Sequence, residues 1–150
     1  MKTIEQEPRV RVAGIIIDDN KLLLIAHKKN DSIYWLLPGG GVDYGESLEE
    51  ALKREFLEEL NVHVTVGKPA MLSDSIDPDG ERHIINICFF CHHSKGNYKL
   101  GKDKRLNDYR FFKIEELPKL QIFPPVNEKL ASLVAGAESV EYLGKLWQKI

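Results

Sequence analysis

The sequence has little net charge. Its 21 lysines and arginines nearly balance 23 aspartates and glutamates, which leaves a formal net charge of −2 at pH 7. Proteins that bind nucleic acid usually present a basic surface to the phosphates. We therefore expect no nucleic-acid partner.

Long apolar runs are also absent. No segment approaches the ~20 apolar residues that span a membrane, and the first eight residues lack the apolar core of a signal peptide. The sequence has two cysteines, Cys88 and Cys91. Without an export signal these are expected to be reduced thiols. The sequence thus predicts a cytoplasmic protein with no membrane partner.

The chain has 150 residues, of which 43% are hydrophobic. This length suits one domain with a substantial core, so residues 1–150 are assigned to a single domain. Apolar periodicity and turn signals predict strands at residues 9–17, 21–27, 33–38, 62–66, 70–73, 82–93 and 109–114. They predict helices at residues 48–60, 126–135 and 139–150, a helical turn at 115–120, and a loose arm or short edge strand at 1–8. This order indicates an α/β fold with a mixed sheet and packed helices.

The helix at residues 48–60 has its own start and stop signals. Ser47 is a good N-cap, and Glu50 three residues later completes a capping box. Asn61 readily takes the left-handed conformation that ends a helix. These signals make this the best-defined element of the sequence.

Three acids of this helix share one face. Glu55, Glu58 and Glu59 stand at positions i, i+3 and i+4. Their mutual repulsion is offset when the carboxylates hold a hard divalent cation such as Mg²⁺ or Mn²⁺. The alternative is an ordinary solvated acidic face. Spacing alone leaves both interpretations open.

A longer motif surrounds this acidic face. The chain reads Gly40-x5-Glu46-x7-Arg54-Glu55-Phe56-x-Glu58-Glu59-x-Asn61-Val62. This segment resembles the Nudix box, Gly-x5-Glu-x7-Arg-Glu-(apolar)-x-Glu-Glu-x-Gly-(apolar). Asn61 replaces the second Gly, and both residue types accept positive φ. The phrase Trp-x-Leu-Pro-Gly-Gly at residues 35–40 is similar to the usual lead-in of Nudix proteins.

The resemblance implies the Nudix fold, a mixed β-sheet sandwiched between helices (α/β/α). It also implies hydrolysis of a small nucleoside diphosphate linked to another group, X. An ADP-ribose-like substrate is the leading candidate, because Pro78, 16 residues after Val62, resembles a marker of the ADP-ribose pyrophosphatase subgroup. Nucleoside triphosphates and dinucleoside polyphosphates are further candidates. A nucleotide sensor without hydrolysis and an enzyme acting on capped or triphosphorylated RNA are the alternatives.

The resemblance further implies roles within the box. Glu55 and Glu59, with the backbone carbonyl of Gly39, are expected to bind Mg²⁺ or Mn²⁺, and Glu58 is a further ligand or an outer partner. Arg54 and Glu46 are expected to form a pair that orients these glutamates. The alternative for that pair is a surface ion pair worth under ~1 kcal/mol.

The general base and the substrate contacts are less well defined by the motif. Any of the three helix glutamates can serve as the base, and so can a glutamate outside the box. The candidates outside it are Glu81, Glu115 and Glu116. The predicted substrate-binding residues are Tyr34, Trp35, Gly40, Arg82 and His83. Core packing is the alternative for Trp35, and a solvated strand start is the alternative for Arg82 and His83.

Three other features have simpler interpretations. Cys88-x-x-Cys91-His92 resembles a haem-attachment or zinc motif, but residues i and i+3 of a strand point to opposite faces, so we predict two strand residues and no shared ion. The basic residues of segment 95–105 either steer polyphosphates or belong to a solvated loop. The apolar stripe predicted in the C-terminal helix either closes the core or is buried in a homodimer.

Overall fold

The computed structural model describes residues 6–147. Its strands are β1 (Arg9–Ile15), β2 (Ile17–Asp18), β3 (Lys21–Lys29), β4 (Ser32–Leu36), β5 (Gly39–Gly41), β6 (His63–Ile76), β7 (His83–Lys95), β8 (Leu106–Lys113) and β9 (Glu141–Leu146). Its helices are α1 (Leu48–Leu60), a 3-10 helix (Ile114–Lys119) and α2 (Asn127–Val134).

The strands form two sheets. The first has five strands in the order β5-β1-β7-β6-β9, and it is mixed because the β1–β7 and β6–β9 pairs are parallel. In the second, β3 pairs in antiparallel fashion with β2, β4 and β8. The three-residue strand β5 lies at one edge of the first sheet, where it pairs with β1.

The core has two layers, and alternate residues of the central strands enter each. From β3, Leu22 and Leu24 pack in the layer that contains α2, whereas Leu23 and Ile25 pack in the layer that contains α1. This is the two-residue periodicity of a strand buried on both faces. The architecture confirms the predicted α/β/α arrangement of a mixed sheet between helices.

The two cysteines follow the same alternation. Cys88 lies in the α2 layer and Cys91 in the α1 layer, and both are buried free thiols. Burial raises the pKa of Cys88 to about 11 and that of Cys91 to about 12. Two thiols in opposite layers do not share an ion, as the strand periodicity predicted.

The predicted C-terminal helix is wrong. Residues 141–146 form β9, which pairs in parallel with β6. Leu143 and Leu146 are partly buried against the α2 layer, as they would also be in a helix. Gly144, however, has φ +79°, which is not a helical backbone angle. The backbone groups at the edge of β6 find partners in β9, and that long-range pairing overrides a local helical spacing. Residues 148–150 of the predicted helix lie outside the described part.

Two smaller boundaries also differ. The strands predicted at 62–66 and 70–73 are one strand, β6, which absorbs register shifts near Pro69 and runs on to Ile76. Pairing with β7 along this length accounts for the continuity. In the N-terminal arm, residues 6–8 form no strand, and residues 1–5 lie outside the described part.

Across residues 6–147, no helix has the length and apolar character needed to cross a bilayer.

Candidate active site

The edge strand β5 is packed closely against its neighbours, most of all at Gly39, where a side chain would meet backbone. A Cβ at Gly39 would lie 2.0 Å from the Val12 carbonyl oxygen, and one at Gly40 would lie 2.4 Å from the carboxyl carbon of Glu55. The register places Gly39 opposite Ala13 and Gly41 opposite Arg11. The missing side chains therefore bring the backbone of β5 against the acidic face of α1.

Helix α1 is capped at both ends as its sequence predicted. The Ser47 hydroxyl accepts from the Glu50 N–H, the Glu50 carboxylate accepts from the Ser47 N–H, and Asn61 has φ +61°. Ala51, Leu52, Phe56 and Leu60 are buried. Capping and burial together fix the helix so that its glutamates face β5.

Arg54 links the glycine strand, the preceding loop and the helix. Its Nε and Nη2 donate to the two carboxylate oxygens of Glu46 at 2.7 and 2.8 Å. Its Nη1 donates to Glu55 Oε1 at 2.8 Å, and Nη2 also donates to the Gly41 carbonyl at 3.0 Å. The hydrogen bonds from Arg54 lower the pKa of Glu46 to about 2. This geometry is that of the predicted orienting pair, extended to Glu55.

Glu58 is held more loosely by the same arginine. Its carboxylate lies 3.4 Å from Arg54 Nη1, and its side chain is 58% exposed. The Glu55 side chain is only 14% exposed, and burial raises its pKa even though Arg54 acts in the opposite direction. The freedom of Glu58 fits either of its two predicted roles, ligand or outer partner.

Glu59 is in a different environment from its neighbours. Its Oε1 accepts a hydrogen bond from the Gly39 N–H at 2.8 Å, and among residues 6–147 it forms no ion pair within 4 Å. Burial raises its pKa to about 8, partly opposed by the positive charge of Arg11. A desolvated, partly buried carboxylate without a close cation is a site where a bound cation is favoured.

A hard divalent cation needs several oxygen donors around one point. Over the described range, no three His, Cys, Asp or Glu side chains are preassembled as a cage. However, Glu55 and Glu59 approach neighbouring residues of β5, Gly40 and Gly39, and all available donors are oxygens, as Mg²⁺ and Mn²⁺ prefer. The residues fit such an ion if the Glu58 and Glu55 carboxylates turn away from Arg54.

Arg11 is the residue near this site that sequence reasoning missed. It stands on β1 opposite Gly41, and its Nη2 donates to the Leu37 carbonyl at 2.7 Å. The alternation Arg9-Val10-Arg11-Val12 predicts a strand that enters the core and indicates no site role for Arg11. The available signal was the position of Arg11 next to a strongly apolar stretch. Where a strand becomes buried on both faces, a polar residue at that point is directed into the protein.

Tyr34 and Trp35 lie on opposite faces of β4. Trp35 packs edge-on against Phe112 beside the α2 layer. The Tyr34 hydroxyl is 3.4 Å from Nδ1 of His27, a buried residue whose pKa burial lowers to about 4, with Arg105 and Arg11 acting in the same direction. Trp35 thus has the core contacts of its alternative interpretation, whereas Tyr34 lies beside titratable and charged groups.

Arg82 and His83 lie where the turn of the β6–β7 hairpin ends and β7 begins. His83 Nε2 is 3.4 Å from Asp74 Oδ1, and the Tyr142 hydroxyl donates to the same carboxylate. Neither Arg82 nor His83 contacts a box glutamate through a hydrogen bond or ion pair in the part that the structure describes. Their substrate role remains a prediction.

The three glutamates outside the box are likewise separate from α1. Glu81 and Glu115 are exposed, and Glu116 accepts a hydrogen bond from the Lys113 N–H at the start of the 3-10 helix. None of them bonds to the box residues within the described range. The assignment of the base stays open.

Segment 97–101 is attached to the end of α1, while the basic residues of segment 95–105 are exposed. The N–H groups of Lys99 and Gly101 donate to the carbonyls of Leu60 and Glu59 at 3.0 and 2.9 Å. Asn61 Nδ2 donates to the Asn97 carbonyl. Segment 97–101 therefore satisfies carbonyl groups that a helix C-terminus leaves unpaired. Arg105, farther along, pairs with Asp103.

Comparisons with known proteins identify the family. A family model described as the NUDIX domain matches residues 7–134. The chain is 40% identical over 114 residues to an ADP-ribose pyrophosphatase of Methanocaldococcus jannaschii, a match covering 75% of this chain and 66% of that relative. It is 31% identical over 121 residues to the nucleoside triphosphatase NudI of Escherichia coli, covering 73% of this chain and 84% of the relative.

A solved structure also shares the fold. A NUDIX hydrolase from Nitrosomonas europaea superposes with a TM-score of 0.77 at 20% identity, over 89% of this chain and 93% of that one. The chain therefore belongs to the NUDIX family, and its relatives class it as a Nudix hydrolase.

Proposed function

We propose that this chain is a divalent-metal-dependent pyrophosphohydrolase that cleaves the diphosphate of a nucleoside diphosphate linked to X. The observation that carries the proposal is the contact between α1 and β5, where Glu59 accepts from the Gly39 N–H and the Glu55 carboxylate fills the space left by Gly40. Two carboxylates are thus held against backbone that lacks side chains. The oxygens of both carboxylates therefore lie next to the backbone of β5, where an ion and a phosphate chain are proposed to bind.

The proposed ligands of Mg²⁺ or Mn²⁺ are Glu55, Glu59 and the Gly39 carbonyl, with Glu58 joining them or holding a water. When bound, such an ion neutralises phosphate charge and lowers the pKa of an attacking water. Arg54 and Glu46 keep the glutamates oriented, because the guanidinium is bound to Glu46, Glu55 and the Gly41 carbonyl at once. Gly40 is proposed to let the substrate approach the same backbone.

ADP-ribose is proposed as the first substrate to test. The relative with 40% identity carries the name ADP-ribose pyrophosphatase, and Pro78, 16 residues after Val62, resembles the marker of that subgroup. A nucleoside triphosphate is the second candidate, since a relative with 31% identity is named for that activity. Tyr34 is the proposed contact for the base or ribose, because it borders the α1 layer next to His27.

The test is a substrate panel run with and without metal. ADP-ribose, nucleotide sugars, dinucleoside polyphosphates, nucleoside triphosphates and capped RNA would be incubated with Mg²⁺, Mn²⁺ or EDTA. We expect ADP-ribose to give AMP and ribose 5-phosphate, with EDTA abolishing and added metal restoring turnover. Full turnover in EDTA would contradict the metal dependence. Nucleotide binding without cleavage of any compound would instead favour a sensor.

A cytoplasmic location and a homodimer are further proposals drawn from the sequence. Cell fractionation tests the first, and light scattering on the purified chain tests the second.

A further inference from the structure

A row of polar side chains crosses the five-stranded sheet next to the candidate site. Arg11 on β1 is opposite Asn86 on β7, which is opposite Ser73 on β6. Directly opposed residues project from the same face of a sheet. Together with Leu37, Ile122 and Val126 they line a narrow crevice. Arg11 thus stands where this crevice meets the end of β4 and the start of the glycine strand.

The inner part of this row is already satisfied by protein contacts. Asn86 and Ser73 are 3% and 4% exposed, and Asn86 Nδ2 donates to the Ser75 hydroxyl at 2.9 Å. These residues therefore form a fixed polar floor. Arg11, which is only partly buried, is the charged group at the end of the row.

Arg11 differs from the other arginines that hold defined contacts. Arg54, Arg105 and Arg110 each pair with a carboxylate. Within residues 6–147, Arg11 has no carboxylate within 4 Å, and the Leu37 carbonyl is its one hydrogen-bond acceptor. No buried side-chain nitrogen in this range lacks a partner, so the remaining N–H groups of Arg11 reach solvent. They form an oriented and unfilled donor set.

The position of this charge relates it to the glutamates. Leu37 lies two residues before Gly39, so the Leu37 carbonyl holds the guanidinium beside the chain that Glu59 contacts. The positive charge of Arg11 acts to lower the pKa of both Glu55 and Glu59, so a phosphate chain bound at these glutamates would also interact with the guanidinium. Arginine is well suited to this task because its planar fork can bind two phosphate oxygens at once.

We propose that Arg11 is a substrate-binding residue that contacts a phosphate of the diphosphate, held in orientation by the Leu37 carbonyl. This inference rests on the proposed function, and it adds a phosphate contact outside the box. The purely structural alternative is that Arg11 only braces the end of β4 and balances the charge of Glu59.

The test measures equilibrium binding of a non-cleavable probe, α,β-methylene-ADP, by calorimetry in EDTA and again with Mg²⁺. Arg11→Gln should weaken binding about tenfold or more, a loss typical of a charged phosphate contact. Arg11→Lys, which keeps the charge but not the fork, should weaken it several-fold. Arg9→Gln is the matched control, since it removes the same charge from the same face of β1 and should change affinity less than about twofold.

A second readout separates binding from bracing. If Arg11 only balances Glu59, Arg11→Gln should leave probe affinity in EDTA unchanged and should tighten Mn²⁺ binding in the absence of probe. That result overturns the proposal, and so does an equal loss in Arg9→Gln. If Arg11→Gln does not fold, as judged by circular dichroism, Arg11→Lys decides: several-fold weaker binding supports the contact, and wild-type affinity overturns it.

The failure of this inference is distinguishable from that of the proposed function. If the wild type binds the probe and Arg11→Gln binds it equally well, only the proposed role of Arg11 is excluded. Absence of probe binding by the wild type, both in EDTA and with Mg²⁺, removes the inference together with the nucleotide diphosphate substrate on which it rests.

Discussion

Helix α1 carries two kinds of carboxylate that differ in what neutralises them. Glu46, before the helix, and Glu55 and Glu58 on it share the guanidinium of Arg54. Glu59, one residue beyond Glu58, has a backbone N–H as its partner instead. The charge of the Arg54 group is compensated within the protein, whereas partly buried Glu59 has no ion-pair partner within 4 Å in residues 6–147, and desolvation favours its protonated form.

This difference suggests a division of labour between stability and ligand binding. The carboxylates around Arg54 gain hydrogen bonds on folding, so the loop, helix and β5 are held together without a ligand. Without a bound cation, the charged form of Glu59 has an unfavourable desolvation free energy, which a bound cation would offset. A site of this kind binds its ion at the expense of the stability of the empty protein.

The largest expected effect is on Glu59. Glu59→Gln should lower turnover by roughly two orders of magnitude or more, because it removes a charged oxygen donor, yet leave the fold intact. Turnover and thermal unfolding would be measured in parallel. Glu49→Gln is the matched control, because Glu49 lies on the same helix in an exposed pair with Lys53. Equal turnover in the two variants would remove the assignment of Glu59 as a ligand.

The second-largest effect is expected at Arg54, which neutralises the other group of carboxylates. Arg54→Lys keeps the charge but cannot reproduce the two bonds to Glu46 together with those to Glu55 and Gly41. We expect a loss of about 1–3 kcal/mol in the free energy of unfolding and a roughly 10- to 100-fold loss of turnover, as for other residues that orient ligands. Denaturant titration and kinetics measure the two. A variant with wild-type stability would show that Arg54 does not hold the site together.

A smaller effect is expected at Gly40. In Gly40→Ala the new Cβ would meet the carboxylate of Glu55, the flexible end of a side chain, which can move aside. Mn²⁺ affinity, measured by electron paramagnetic resonance, should fall several-fold while the melting temperature changes little. Gly41→Ala is the control, since the nearest atom to its Cβ is Arg9 Nη2 at 3.4 Å. Comparable losses in both variants would mean that the strand, rather than Glu55, responds.

The smallest effect is a pH dependence of the metal-free protein. The pKa of Glu59 rises from 4.5 to about 8 on folding, so the folded state binds a proton that the unfolded chain has released. Stability in EDTA should therefore decrease as pH rises from about 4.5 to about 8. Glu59→Gln lacks this group, and its free energy of unfolding should decrease less over that window. The opposite contribution of His27, lost as pH falls from 6.5 towards 4, is common to both proteins and cancels.

Local signals were enough to predict helix α1. Its cap residues Ser47, Glu50 and Asn61 interact with backbone a few residues away, so the bounds 48–60 follow from the sequence. The same argument failed for residues 141–146, because their state is set by an open edge of β6 some 70 residues earlier. A helical spacing of apolar residues does not reveal which strand edges will need a partner.

The candidate site likewise has a part that the sequence predicts and a part that depends on long-range contacts. The acidic face and its link to Arg54 could be predicted because the motif is continuous in sequence. The special position of Glu59 depends on Gly39, 20 residues earlier, and that of Arg11 on Leu37, 26 residues later. Such contacts arise only when β5 docks on β1. The motif distinguishes the expected role of Glu59 from that of Glu58, but the sequence does not show the contacts that Glu59 and Arg11 make in the fold.

The attachment of segment 97–101 to α1 limits how this surface can be redesigned. Exposed loops usually tolerate insertions, but a Cβ at Gly101 would lie 1.9 Å from the Glu58 carbonyl oxygen, and the Gly101 N–H already holds the carbonyl of Glu59. Lengthening the loop here would unpair the last turn of the helix that carries the glutamates. An engineer who wishes to graft a new specificity loop onto this face should insert it at residues 102–104, where the chain has left the helix.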